Sequence, residues 1–369
     1  MDNHSELHNH LVELFAKRRN YLQVLKDQIR QYQYVVFYGC GNIFHGIVAS
    51  WNQQVGKRID LCCDSDSEKW GKEFSGIKCI SPSELIKIKN ECAVFVTIGE
   101  FKQVFCSLID KGFPFVNVIS KNALDISTFL DSSPQDEIVS SLSKTYGLLA
   151  DKKSRDIFEA IVNRVLDVES NPSIMSDVCE GNQYFPNDVI QLSKHESLVD
   201  IGAFDGDTVK DFTERTRGCF DNIFSFEVDA INFKLLEETV RGIPERERIK
   251  IFNLGVWDKE CDITYSVGLS QSTVGAGECK GHVVLLDDVL KGEKVTFIKM
   301  DIEGAEPQAL RGACNTIREQ KPKLAICVYH DFRHLWEIPL YIKSLMPEYK
   351  IYLRHHTNLE YETVCYAIL

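Results

Sequence analysis

The sequence predicts an α/β protein made of two strand, glycine turn, helix units in tandem, joined by a helical connector. Three observations predict it. Ser197-Leu-Val-Asp-Ile201 is an apolar run that breaks at Gly202 and Gly206, and helical spacing restarts over 208–212. The same order occurs earlier, where Tyr34-Val-Val-Phe-Tyr38 leads into Gly39, Gly41 and Gly46. Between the two units, over 121–182, the pattern is polar with helical periodicity and no alternation. A length of 369 residues agrees with two or three domains.

Composition narrows the function. The chain is 44% hydrophobic and 26% charged, enough for sizeable cores, and its formal net charge is −12. That charge argues against a nucleic-acid partner, whose phosphates call for a basic footprint. Thirteen cysteines without a CxxC spacing, many inside apolar runs (Cys62, Cys79, Cys106, Cys327, Cys365), predict reduced buried thiols and a cytoplasmic protein. The first ten residues are polar, and no apolar run reaches the 18 or so residues of a membrane span, so a soluble chain is expected.

Taken in order, residues 1–33 predict an amphipathic N-terminal helix, with Leu11, Leu14, Phe15, Tyr21, Leu22 and Leu25 on one face. That face suits packing or a homo-oligomer contact. Residues 34–120 predict a small parallel α/β domain, with strands at Tyr34–Tyr38, Arg58–Asp64, Val94–Ile98 and Val116–Ile119 and a helix near 101–111. Its glycines are spaced two residues longer than GxGxxG. Two readings stand: a nucleotide or sugar-nucleotide site formed by Gly39, Gly41, Gly46 and Asp64, or a docking module. No hydride-transfer residue follows, so a dehydrogenase is not expected. In the connector, helices are predicted at 140–149 and 153–168.

Residues 183–369 form the second predicted domain. After Ser197–Ile201 come strands ending at Glu227, Gly255, Asp301, Tyr329 and Arg354, then a closing strand at Thr363–Ile368. The Gly-, Ser- and Thr-rich stretch 266–281 reads as a partial lid. At the glycine turn the helix mouth carries Asp205 and Asp207, which would repel a phosphate. Acids close three strands, at Asp200, Glu227 and Asp301, and an acid at the second strand end is suited to ribose hydroxyls. A crevice ringed by acids suits a ribose-bearing cation.

Four segments, VDIGAFDGDT, FSFE, FIKMDIEGAEPQALRGA and the tail from VYHDFRHLWEIPLYI through YLRHH to ETVCYAI, resemble the FkbM family of S-adenosylmethionine-dependent methyltransferases over about 183–369. The resemblance implies that the second domain is a class I methyltransferase sheet, Rossmann-like with an antiparallel final strand, which with the Rossmann-like first unit makes two Rossmann-like domains. It implies S-adenosylmethionine at Asp200, Gly202, Ala203, Phe204, Asp205, Gly206, Glu227, Val228 and Asp301. It also implies O-methylation of a sugar hydroxyl in a surface polysaccharide, glycolipid or nucleotide-sugar precursor. The competing function is an inactive nucleotide or sugar-nucleotide binding scaffold.

Methyl transfer to an alcohol needs a group to take the hydroxyl proton. His330, just past the fifth strand and beside Asp331, is the candidate base, with a structural histidine as the alternative; an ordinary pKa near 6.5 suits the task. Asp301 is the second catalytic candidate. Glu303 and Glu306 read as helix-dipole acids. His330 and His334 are four apart, but no third ligand with a recognisable motif follows, so no metal is expected. Arg354, His355 and His356 read either as substrate ligands or as a solvated hairpin end.

Overall fold

A computed structural model describes residues 3–18, 21–119, 124, 126, 129–130, 134–167, 173–265 and 279–369. The chain divides into two compact units. The first takes residues 1–144, 156–179 and 357–361; the second takes 145–155, 180–356 and 362–369.

In the first unit, strands β1 (Tyr34–Tyr38), β2 (Leu61–Cys63), β3 (Glu73–Phe74), β4 (Ile77–Ile80), β5 (Cys92–Val96) and β6 (Val116–Val118) form one sheet in the order β3-β4-β2-β1-β5-β6. All neighbours pair in parallel except the β3–β4 hairpin, which the sequence pattern did not predict. The central strands β1 and β5 are buried at every position but Tyr34, because parallel strands covered on both faces are apolar along their length instead of alternating. Trp51 meets Phe37 and Phe95 edge-on, and those two rings are tilted on each other, with centroids 4.9–5.7 Å apart. The expected N-terminal helix is two helices, Asn3–Arg18 and Tyr21–Arg30, with Leu11, Leu14 and Phe15 buried on the first and Leu25 and Ile29 on the second.

The second unit holds β7 (Ser197–Ile201), β8 (Asn222–Phe226), β9 (Ile249–Phe252), β10 (Gly255–Val256), β11 (Cys261–Tyr265), β12 (Cys279–Val284), β13 (Phe297–Met300), β14 (Lys323–Cys327), β15 (Lys350–His355) and β16 (Thr363–Ile368). Seven of these make a sheet in the order β15-β16-β14-β13-β7-β8-β9. Six share one direction, and β16 inserts antiparallel between β14 and β15. The strand order reverses between β7 and β13, so the crevice at their carboxyl ends is the topological switch point, where α/β sheets bind ligands.

A separate three-stranded sheet, β10-β12-β11, takes Cys279–Gly281 from the stretch read as a lid. The rest of that lid, 266–278, lies outside the described residues. The thirteen cysteines are all free. Cys106, expected inside, is exposed on the helix Lys102–Asp110, whose apolar run is longer than the stripe it buries.

Candidate active site

The glycine turn after β7 is forced by close packing. Gly202 has φ +78°, and a Cβ there would lie 1.9 Å from the carbonyl oxygen of Asp301, so only glycine lets the ends of β7 and β13 approach. Gly206, at φ +86°, faces Leu236 and Thr239 of the helix Ala230–Arg241, and Thr239 Oγ1 donates to the Asp205 carbonyl at 2.6 Å. The backbone N–H groups of Gly202 and Ala203 both donate to Phe226 O. Phe204 adopts φ +48° and is 53% exposed, leaving its ring open at the turn. The acids at the helix mouth point back onto the helix: Asp205 accepts from Asp207 N and Asp207 accepts from Thr208 N, satisfying amides that have no partner within the helix.

Glu227 closes β8 and is buried. Its Oε2 accepts from Phe204 N at 2.9 Å and its Oε1 from Asp229 N at 2.7 Å, so one carboxylate ties the glycine turn to the next helix start. Burial pushes its carboxyl up, against the pull of those two amides. Val228 follows, its carbonyl accepting from Asn253 Nδ2.

Asp200 does not face the crevice. It is 0% exposed inside β7 and lies opposite Lys299 of β13, whose Nζ stands 3.0 Å from its Oδ1. As a direct cofactor ligand it is corrected: it acts through Lys299, which also donates to Gly202 O at 2.7 Å and sits over the Tyr184 ring. Burial opposes the charge on Lys299, but the carboxylates of Asp200 and Asp301 outweigh it and raise the ammonium's pKa. Sequence reading missed Lys299, although a lysine inside the apolar strand Phe-Ile-Lys-Met was a signal for a buried counter-ion.

Beside this pair, the ends of β13 and β14 assemble acids around one imidazole. Asp301 accepts from Tyr184 Oη at 2.6 Å and from Tyr329 Oη at 3.1 Å. His330 is 6% exposed; its Nε2 lies 3.4 Å from Asp301 and 3.5 Å from Glu303, and its Nδ1 lies 2.8 Å from Glu306. Glu306, fully buried as the first residue of the helix Glu306–Gly312, also accepts from Ile302 N and stands 3.5 Å from His334 Nδ1.

Burial alone would lower the His330 pKa, but Glu306, Asp301 and Glu303 together raise it to about 9. The expectation of a base with an ordinary pKa is therefore corrected: this ring is held as a cation among acids. Asp331 does not orient it, since that carboxylate is bound by Arg333; Glu306 takes the place. Glu303 sits at φ +55° with its side chain 38% exposed, and burial with neighbouring acids brings its carboxyl to about 7, against the pull of His330. Glu303 and Glu306 thus do more than serve a helix dipole.

Arg354 and His355 are corrected as substrate ligands. Arg354 is 1% exposed and binds Asp151 at 2.7 Å, Asp188 at 2.8 Å and Glu180 at 3.3 Å, while buried His355 meets Thr363 Oγ1 at 2.8 Å. His356 contacts Glu180 O and Tyr366 Oη. In the first unit, only Gly39 of the three glycines needs its residue type: its φ is +111° and a Cβ would strike Ile98 at 2.2 Å, whereas Gly41 and Gly46 have open space. Asp64 Oδ2 accepts from Cys40 N at 2.9 Å and pairs with Lys69 at 2.8 Å, and its Oδ1 accepts from Asp66 N at 2.9 Å, so its oxygens are already engaged.

The second unit, with its reversed strand order, antiparallel insertion and glycine turn at the switch point, has the architecture of a class I methyltransferase. Residues 200–358 match the family model described as Methyltransferase FkbM domain. The crystal structure of Methyltransferase FkbM from Methylobacillus flagellatus KT is similar over 97% of this chain and 99% of that one, with 23% identity and a TM-score of 0.77. The methyltransferase domain of bacterial CtHen1 is similar over 48% of this chain and 91% of its own, at 12% identity and TM-score 0.30. The human METTL16 N-terminal domain in complex with SAH is similar over 64% of this chain and 94% of its own, at 11% identity and TM-score 0.29. No curated protein matches this chain. No described helix is long and apolar enough to cross a membrane.

Proposed function

We propose that the protein is an S-adenosylmethionine-dependent O-methyltransferase whose acceptor is a sugar hydroxyl, in a polysaccharide, glycolipid or nucleotide-sugar precursor. One observation carries the reading: a glycine turn held open at the switch point, flanked by Glu227 on one side and by the acid–imidazole cluster of Asp301, Glu303 and His330 on the other. The donor set fits a cationic, ribose-bearing cofactor, because every carboxylate at this edge would repel a phosphate-rich one. Bound S-adenosylmethionine supplies an electrophilic methyl group. Phe204 offers an exposed ring at the turn, and each Glu227 oxygen keeps a lone pair for a ribose hydroxyl beside the amide it already binds.

Tyr184 and Tyr329 fix Asp301. Glu303, the exposed member of the cluster, is placed to take the acceptor's proton while the oxygen meets the methyl carbon in line. A sugar, with several adjacent hydroxyls, matches an edge made of carboxylate acceptors. The free cysteines support a reducing, cytoplasmic setting. For the first unit we favour docking over nucleotide binding, since Lys69 neutralises Asp64.

Calorimetric titration with S-adenosylhomocysteine tests the reading. One site per chain is expected, and Glu227→Ala should weaken it by about 1.5–3 kcal/mol, the range for a charge-assisted hydrogen bond. Unchanged affinity in that variant refutes the ribose assignment. No binding by the wild-type chain would leave the scaffold reading in its place.

A further inference from the structure

We propose that Tyr265, the last residue of β11, is a positioning residue for the cofactor: its hydroxyl braces the peptide group that follows Glu227 and so holds that carboxylate where ribose hydroxyls can meet it. That role rests on the S-adenosylmethionine reading. The Val228–Asp229 amide is gripped at both ends. Its N–H donates to Glu227 Oε1 at 2.7 Å, and its carbonyl, trans across the same planar group, accepts from Asn253 Nδ2 at 3.2 Å and from Tyr265 Oη at 3.4 Å. Tyr265 Oη also donates to Asp229 Oδ2 at 3.2 Å, so one hydroxyl proton is shared between two acceptors flanking this peptide.

Of the two braces, Tyr265 is the stronger. Asn253 is exposed, and its bond competes with water, whereas Tyr265 is 3% exposed and its bonds do not. Burial, and then the Asp229 carboxylate, push the tyrosine hydroxyl up to about 12, so it remains a donor around neutral pH. An amide pinned at its oxygen keeps its N–H aimed at Glu227. Helix capping alone does not call for this contact. Asp229 caps the helix Ala230–Arg241 with Oδ1, which accepts from Ile231 N at 2.8 Å and Asn232 N at 2.9 Å, and Oδ2 is left for the tyrosine.

The small sheet is shaped to bring Tyr265 to this place. Gly281 stands opposite Ile263 in the β11–β12 pair, and the Tyr265 ring, two residues along on the same face, leans across it. A Cβ on Gly281 would lie 2.4 Å from Val228 Cγ2 and 3.2 Å from Tyr265 Cε1. Gly255 of β10 forms the other wall of the notch, where a Cβ would lie 3.5 Å from Val228 Cβ. Neither glycine has a positive φ, so each serves for space and not for backbone shape. The half-buried Val228 side chain enters that space, and the close approach of the small sheet to the end of β8 sets the tyrosine hydroxyl beside the candidate ribose acid.

Calorimetric titration of the full-length chain with S-adenosylhomocysteine and with its 2′-deoxy and 3′-deoxy analogues tests the role. In the wild type, removing a hydroxyl that Glu227 holds should cost at least about tenfold in affinity, as loss of a hydrogen bond to a carboxylate does. Tyr265→Phe keeps the ring over Gly281 and should weaken S-adenosylhomocysteine by about three- to tenfold, the worth of one net hydrogen bond, while the penalty for the missing hydroxyl shrinks by a similar factor. In a Glu227→Ala background the same change should cost under about twofold, because a brace acts only through the carboxylate it holds. Gly281→Ala leaves the hydroxyl in place but pushes on Val228 and on the ring; it should give the same pattern, and it carries the test if Tyr265→Phe fails to fold.

Unchanged affinity in Tyr265→Phe overturns the role. So do equal losses for S-adenosylhomocysteine and its deoxy analogues, or additive losses with Glu227→Ala, either of which is general damage to the fold. Where the wild-type chain binds S-adenosylhomocysteine and one of these results appears, Tyr265 falls alone. Where the wild-type chain binds none of the three compounds, the methyltransferase reading falls and the role of Tyr265 falls with it.

Discussion

Replacing Lys299 by methionine should be among the most damaging single changes to the second unit that leaves side-chain volume nearly constant. Nζ of Lys299 neutralises Asp200 at 3.0 Å and donates to Gly202 O at 2.7 Å, and Asp200 is completely buried with no other hydrogen-bond partner for either oxygen among the described residues. Removing one partner of a buried ion pair costs about 3–5 kcal/mol, because a charge is left in a low-dielectric interior. A lost donor at the Gly202 carbonyl acts in the same direction without adding in full. The loss of unfolding free energy should therefore fall at about 3–5 kcal/mol near neutral pH.

Chemical denaturation followed by circular dichroism, with the two units fitted as separate transitions, measures it. Two internal controls follow. In the variant, an unpaired buried Asp200 carboxyl has a folded pKa above its unfolded value near 3.9, so the deficit should shrink as pH falls and the carboxyl takes up a proton. The double variant Asp200→Asn/Lys299→Met removes both charges and should be more stable than Lys299→Met alone. A loss under about 1 kcal/mol, the scale of an exposed pair, or a double variant less stable than the single, would refute the argument.

Gly202→Ala should abolish S-adenosylhomocysteine binding and lower the melting temperature, since its Cβ would lie 1.9 Å from Asp301 O at a φ of +78°. Gly41→Ala, which meets open space, should stay within about 0.5 kcal/mol of wild type in the same melts. Asp151 and Asp188 are held below the ordinary carboxylate range because Arg354 outweighs their burial. Their contribution to stability is thus present above about pH 4 and fades as the pH falls through the lower folded pKa values. Arg354→Met should flatten that acid limb in pH-dependent melts and cost about 1–3 kcal/mol at pH 7, a figure reduced because both acids are partly exposed. An unchanged acid limb would show that the network is incidental.

What the sequence made legible was local. Glycine turns, strand ends and the acids Glu227 and Asp301 lie within a few residues of the breaks that mark them, and the structure puts those acids at the switch-point edge. What it hid was pairing across strands. Asp331 looked like the partner of His330 because it follows in the chain, yet the contact is made by Glu306, 24 residues earlier at the start of the helix that follows β13. Arg354 read as a hairpin terminus; residues 151, 180 and 188, distant in sequence, supply the carboxylates that surround it. Lys299 was passed over because a strand with one charge among apolar residues gives no clue to the acid in register beside it.

In both units the acid at the end of the second strand grips an amide of the glycine turn: Asp64 holds Cys40 N and Glu227 holds Phe204 N, each at 2.9 Å. A clasp of this kind sets the turn's shape before any ligand arrives, so capture should proceed with little rearrangement and with an entropy loss drawn mainly from the guest. The two clasps differ in readiness. Lys69 seals that of Asp64 with an ammonium, whereas Glu227 has no ammonium or guanidinium at ion-pair distance among the described residues. A guest hydroxyl therefore finds an acceptor in the second unit, while in the first it would have to displace a salt bridge. Two turns clasped in the same way are left by one lysine with unequal capacity for a guest hydroxyl.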